Sequence, residues 1–509
     1  MAWMMSISLQ AGGLILITIL LIRLMKNHLG GGRRRLPPGP INLPVIGAFL
    51  SVGFRKRHLA FFKLAKHYGP VVYMKLGGAD VVAVNSAETA MEVLRIHDAE
   101  FSGRPEHMAG EHIGYRYLGL DLCPYNAHFR KVRKVINSEL LCQPKLNEMA
   151  YIRREEVLSL VATVAANCRG GAPFHVRSPI DDTITNVIGR MMFGRLHSAS
   201  RKLVEAVRDL KTVRRDTVEV EKQLNIADMF PQLARFDLQR IEANTMKIVK
   251  RFGLIYEIVV QEHKINPATE NDRKDFIDFL LEYNEGGDTF SENAIKAILN
   301  DMLFGGIDTL AMSVEWPLAE LLRHPQKLVR AQQEIDGIVG KDRPLEESDL
   351  DHLPYLHAIV KESWRLYPII YLTPPHVNER EAELFGYKIP AHSNVYINLY
   401  GVAHDPSYWQ NADEFQPERF LGSDVNMSGT HFQLIPFSSG RRRCPAVLFS
   451  SLQVPYILAV LLHAFDWTLP ATMSPKDIVM EGRHGAANDK LQPLIICAKS
   501  RLPAQTYNL

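Results

Sequence analysis

Residues Phe437-Ser438-Ser439-Gly440-Arg441-Arg442-Arg443-Cys444-Pro445-Ala446 run straight into VLFSSLQVPYILAVLLHAF. An apolar run of that length without an acidic, lysine or arginine side chain belongs in the interior of a sizeable fold, so the chain must wrap other elements around it. Gly440 permits a tight turn, and Pro445 suits the first turn of a helix. Cys444 is therefore predicted to lie just before a helix N-terminus, whose dipole and free amides favour a thiolate. A thiolate there can ligate iron. The three arginines can neutralise the propionates of a haem or meet an acidic partner, and Phe437 can pack over the sulfur and exclude water. The plainer reading is a basic loop with a buried cysteine.

The remaining cysteines, Cys123, Cys142, Cys168 and Cys497, are scattered and show no paired spacing of the zinc or redox type. That pattern fits a reducing compartment. With 46% hydrophobic and 23% charged residues the chain can bury a substantial core, which excludes wholesale disorder. Lys plus Arg exceeds Asp plus Glu by 59 − 56 = +3, so no global charge argues for nucleic acid. The length of 509 residues permits two or three average domains or one large one.

The first 22 residues carry no charge, and residues 11 to 22 read AGGLILITILLI. This approaches the roughly 20 residues of a membrane helix. Arg23, Lys26 and Arg33-Arg34-Arg35 all follow the run, which the positive-inside rule reads as a single-pass anchor with a cytosolic body. A cleaved signal peptide, the alternative, carries its positive charge in front. We expect an anchor at 1–25, a hinge at 26–40 (GGGRRR, then Leu36-Pro37-Pro38-Gly39-Pro40) and a catalytic body at 41–509. VVYMKLGG and ADVVAVNS predict a hairpin around Gly77-Gly78. Helical patterns dominate from Ala87 to Ile265, from Ser291 to Val339, from Tyr355 to Tyr367 and from Val447 to Ala464. Short strands and turns follow Pro374. The expected fold is mainly α with small β-sheets.

Phe304-Gly305-Gly306-Ile307-Asp308-Thr309 interrupts an otherwise apolar helix. Each interior glycine costs about 1 kcal/mol relative to Ala, so something requires a thin backbone there. A flat cofactor against the helix is one candidate and helix-helix packing with a solvated Asp is the other. Thr309 can bond the carbonyl one turn back or release it, and Asp308 can feed protons towards it. Glu362-Ser363-Trp364-Arg365 places opposite charges at i and i+3, a pattern common on surface helices. Should Arg419 of Pro417-Glu418-Arg419-Phe420 join Glu362 and Arg365 beneath the cysteine loop, the three make a buried ionic lock.

Proline-rich hinge, GGxDT helix, ExxR, PERF and FxxGRRxC, in this order, resemble the cytochrome P450 superfamily over essentially the whole chain. The resemblance implies a largely helical body preceded by one transmembrane helix, and haem b with Cys444 as axial iron ligand. It implies Arg442 and Arg133 as propionate partners, Phe437, Gly440, Gly305 and Gly306 at the cofactor, and Glu362, Arg365 and Arg419 as a structural triad. Asp308 and Thr309 become the proton-delivery pair. Dioxygen, a small hydrophobic substrate and electrons from NADPH through a flavoprotein reductase follow, with Arg130, Lys131, Lys134, Arg441 and Arg443 as either its docking patch or a solvated basic face, and the endoplasmic reticulum membrane as location. Three departures stand out: Phe129 replaces the family's usual Trp ahead of Arg133, Ala446 stands where Gly is usual, and Pro455 lies inside the last helix.

The FSGRP stretch at Phe101 to Pro105, FGGIDTLAMSVEWPLAELLRHP and LHAFDW look like plant microsomal hydroxylases of phenylpropanoids and flavonoids. Ring hydroxylation of a hydroxycinnamoyl- or hydroxycinnamaldehyde-type compound is the expected reaction. Pocket positions by analogy are His112 to Leu120, Ile307, Ile369 to Thr373 and Ala486 to Asn488. A fatty-acid or terpenoid hydroxylase is the nearest alternative. A haem-thiolate isomerase or dehydratase needs neither dioxygen nor reductase, and the Asp308-Thr309 pair argues against it. A non-catalytic haem-binding or membrane-interaction protein would keep Cys444 yet show no substrate-induced spin change.

Overall fold

Val71–Leu76 (β1) and Ala79–Val84 (β2), rich in β-branched residues, pair antiparallel with Val71 opposite Val84 and Leu76 opposite Ala79. Gly77, at φ +62°, turns the hairpin where an L side chain would be strained. The last four residues of β2 are all buried, as befits a strand flanked on both sides. His376–Val377 (β3) and Asn394–Ile397 (β4) complete a four-stranded sheet of order β1-β2-β4-β3, in which β2 and β4 run parallel. The computed structural model describes residues 35–53, 56–106, 108–168, 171–194, 213, 216–217, 225–483, 485 and 487–507. The apolar run at 1–22, its flank to residue 34 and Ala486 lie outside the described residues. This sheet belongs to one compact unit, built from the chain up to Pro105 with Asn225–Leu238 and Leu372–Val402.

The second unit, Glu106–Leu224 with Gln239–Tyr371 and Ala403–Leu509, is helical. Its main helices are Ala127–Val135 (α1), Ala150–Asn167 (α2), Arg177–Phe193 (α3), Ile241–Ile265 (α4), Phe276–Glu282 (α5), Glu292–Arg323 (α6), Pro325–Val339 (α7), Pro354–Leu366 (α8) and Val447–Ala464 (α9). Ser291 caps α6 by accepting the Ala294 N–H. The helical block expected from Ser291 to Val339 is divided at His324, because Pro325 has no N–H to continue one helix and its fixed φ starts the next. Helix α6 packs against α3, α4, α8 and α9 and so forms the axis of the unit. Both α6 and α9 are long and apolar enough to cross a membrane, yet most of each is buried in protein. In α9, which has no Asp, Glu, Lys or Arg, the apolar character all round is what a surrounded position demands. Two further strands, Phe465–Thr468 (β5) and Ile495–Ser500 (β6), pair antiparallel.

Candidate functional site

The loop ahead of α9 turns through two residues of left-handed conformation, Ser438 at φ +60° and Gly440 at φ +71°. This reversal brings the Cys444 N–H back to the Phe437 carbonyl at 3.0 Å. Helix α9 begins at Val447 with Ala446 as its cap, so Pro445 sits in the turn before the helix, not in its first turn as the sequence suggested. Ala446 has φ −86°, a conformation any L residue adopts, which explains why glycine is dispensable there. Burial pushes the Cys444 thiol up, while the Ala446 amide and the charges of Arg133 and Arg443 pull it back towards the anion. Arg133 donates to the Arg443 carbonyl, and the buried Arg443 Nε has no partner among the described residues. Phe437 and Trp364 of α8 meet edge to face, with ring centroids 5.1 Å apart and planes at 80°.

Arg442 points into a second loop. It donates to the carbonyls of Cys123 at 2.6 Å and Leu120 at 3.3 Å, and its guanidinium lies 4.1 Å over the ring of Phe129. The phenyl ring that replaces an indole at position 129 therefore supports Arg442 through its face. Asp301 of α6 holds the same loop from the other side by accepting the Leu120 and Asp121 amides. Gly119 is required here, since a Cβ would come within 2.7 Å of the Asp301 Oδ2.

Burial and the neighbouring Asp121 raise the Asp301 carboxyl from its ordinary value to about 7. The folded protein thus binds this proton more tightly than the unfolded chain, and the associated stability is lost as pH climbs from about 4 through 7. Asp301→Asn is expected to remove that decline. Urea midpoints of both proteins between pH 5 and 8 check it, and parallel curves would refute the assignment.

On α6 the two glycines do different things. A Cβ at Gly306 would meet Ile188 Cδ1 of α3 at 2.6 Å, so this glycine serves helix-helix packing. At Gly305 nothing among the described residues lies within 4 Å of the same position, leaving a bare face. Thr309 Oγ1 donates to the Gly305 carbonyl at 2.6 Å. Asp308 is held by Arg177 at the start of α3, whose Nη2 lies 3.3 Å from its carbonyl and 3.5 Å from its carboxylate. The buried Arg177 also reaches Asp181 at 2.9 Å, Glu315 at 3.2 Å and Asp489 at 3.4 Å. No local pattern announces Arg177, which lies 131 residues from Asp308.

Glu362, Arg365 and Arg419 come together. Arg365, wholly buried, donates to both Glu362 oxygens at 2.7 and 2.9 Å and to the carbonyls of Ala403, Ala412 and Glu414. Glu362 also accepts from Arg419 Nε at 3.1 Å and from the Gln416 amide at 2.8 Å. The basic surface is less open than its composition suggests. Lys131 pairs with Asp288 at 2.7 Å and Lys134 with Glu285 at 2.7 Å, while Arg441 donates to Tyr125.

The cytochrome P450 family model matches residues 37–493. A cytochrome P450 of Panax ginseng, CYP736A12, is 35% identical over 92% of this chain and 94% of its own length. The flavonoid 3'-monooxygenase of Petunia hybrida is 35% identical over 93% of both chains. A zebrafish cytochrome P450 solved with progesterone superposes with a TM-score of 0.75 over 87% of this chain and 99% of that one, at 24% identity, which speaks for the fold. The family uses haem iron, dioxygen and a redox partner on small substrates, and several relatives are named monooxygenases or hydroxylases. A thiol among cations ahead of a buried helix, a bare glycine face on the central helix and a match over nine-tenths of the sequence lead to one conclusion: the chain belongs to the cytochrome P450 family and is a haem-iron monooxygenase.

Proposed function

We propose that this protein hydroxylates a small hydrophobic aromatic substrate of phenylpropanoid or flavonoid type, using dioxygen and electrons from NADPH delivered by a flavoprotein reductase. The acid-alcohol pair of Asp308 and Thr309 beside the bare face of Gly305 carries the oxygen-activating part of this reading. The full-length similarity to a flavonoid 3'-monooxygenase supports the aromatic substrate.

The residues present fit haem b. Cys444 has the cationic and amide neighbours that favour an anionic sulfur ligand, and the buried Arg443 Nε offers one more donor beside it. Cys444 would hold the iron, Arg442 and Arg133 the propionates, and Phe437 would shield the sulfur, with Gly440 shaping the loop and Gly305 admitting a flat ring. When bound, the haem supplies iron-centred activation of dioxygen, tuned by its thiolate ligand. Thr309 keeps its hydroxyl proton directed at the Gly305 carbonyl until that bond opens, and Asp308, held by Arg177, is placed to relay the next one. Glu362, Arg365 and Arg419 keep the segment before the cysteine loop in place.

The reductase would dock on the face of Arg130, Lys131, Lys134, Arg441 and Arg443, exchanging its own acids for Glu285 and Asp288. Residues 1–25 would anchor the chain in the endoplasmic reticulum membrane with the body cytosolic, a reading that release of the full chain by alkaline carbonate would refute. Titration of the haem-loaded enzyme with phenylpropanoid, flavonoid, terpenoid and fatty-acid ligands tests the substrate class through the spin-state shift. A shift with fatty acids or terpenoids alone would overturn the aromatic reading, and turnover without NADPH would overturn monooxygenation in favour of isomerisation or dehydration.

A further inference from the structure

One tryptophan of the ExxR segment is left over by the ionic network around it. Trp364 sits between Glu362 and Arg365 on α8 and is 2% exposed, and its indole Nε1 donates to Ser313 Oγ of α6 at 2.9 Å. An indole has a donor and no acceptor, so the direction of this bond is fixed and Ser313 must spend its own proton elsewhere. It goes to the Thr309 carbonyl at 2.7 Å. Thr309 in turn donates to the Gly305 carbonyl at 2.6 Å. Residues 305, 309 and 313 are spaced by four and share one helix face, which therefore carries a directed chain of side-chain bonds onto successive carbonyls. Such back-bonds draw carbonyls away from the ladder and bend a helix locally. At its far end the ring of Trp364 is packed edge-on against Phe437 of the cysteine loop.

We infer that Trp364 and Ser313 are positioning residues for Thr309: by holding its carbonyl they set the orientation of the backbone that carries the Thr309 hydroxyl, and they tie it to the cysteine loop through Phe437. The inference rests on the proton-holding role proposed above for Thr309. Ser313 without its hydroxyl leaves the Thr309 carbonyl to its helix bond alone, and Trp364 without its N–H lets the Ser313 hydroxyl rotate. Either change releases the same carbonyl by a different route. Because the two act in series, their effects overlap.

The test uses the haem-loaded full chain with Ser313→Ala, Ser313→Thr, Trp364→Phe, the double variant Ser313→Ala with Trp364→Phe, and Thr309→Ala as reference. Two quantities are read: the partition of oxidised NADPH between product and peroxide, and hydrogen exchange across residues 305 to 313 in the resting protein. Ser313→Ala and Trp364→Phe are each expected to lower product per NADPH about threefold to tenfold, the range one ordinary hydrogen bond commands, and to change exchange in that segment. Ser313→Thr, which restores a hydroxyl, is expected to stay near wild type. The double variant should be no worse than the poorer single one. Wild-type partition and exchange in both single variants, or multiplied effects in the double, would overturn the relay. Were Thr309→Ala itself to leave the partition unchanged, the role of Thr309 would fall; were it alone to raise peroxide, only the relay would. Should Ser313→Ala not fold, Trp364→Phe, which keeps a ring against Phe437, decides the matter alone.

Discussion

Cys444→Ser is expected to abolish the long-wavelength Soret band of the thiolate-bound ferrous carbonyl and to slow product formation by at least about a thousandfold, equivalent to about 4 kcal/mol of barrier. A serine hydroxyl keeps the shape of the loop but ionises far less readily than a thiol, so Arg133 and Arg443 have no anion to stabilise and the electron-donating sulfur ligand is gone. Cys123 offers no substitute. Burial raises its thiol to about 11, and its Sγ is turned towards the Pro124 carbonyl at 3.3 Å. A variant that kept the thiolate band would transfer the iron to another cysteine and end the assignment.

Glu362→Ala is expected to cost about 3–5 kcal/mol, a large fraction of the 5–15 kcal/mol that separates a typical folded domain from its unfolded state. Among the described residues the carboxylate is the single anion contacting Arg365, a guanidinium with no solvent exposure, and it also receives Arg419 and the Gln416 amide. Without it two arginines share the site with carbonyls alone, and the uncompensated charge outweighs the lost contacts themselves. Chemical denaturation of Glu362→Ala against wild type measures the loss. A difference under about 1 kcal/mol would mean that water reaches Arg365 and that the network is not the lock it resembles. Glu362→Gln, which keeps the shape and one acceptor, should fall between the two.

Some of this was legible along the chain. The hairpin about Gly77, helix α9 from Val447 to Ala464 and α8 up to Leu366 follow from local chemistry: β-branched runs with a glycine turn, an apolar stretch without charge, and a proline at a first helical position. The break at His324, which the pattern hid, needed the rule that Pro325 both ends and starts a helix. The spacing of Glu362 and Arg365 puts them on one turn in any helix, so their pairing was available from sequence. Their burial was not, because it depends on Ala403, Ala412, Glu414 and Arg419, which arrive from 38 to 57 residues away.

The sequence by itself determined the kinds of residue proposed to meet the haem, the helices that carry them and the turn that presents Cys444, since each depends on neighbours a few positions apart. Tertiary structure alone decided their partners. It put Arg177 on Asp308, Asp301 on the Leu120 amide, Ile188 against Gly306 and Trp364 behind Thr309, and it paired Lys131 and Lys134 with acids from another loop. Hydrogen bonds and ion pairs reach only a few ångströms, and which groups come that close is set by how helices pack, information no short window of sequence contains.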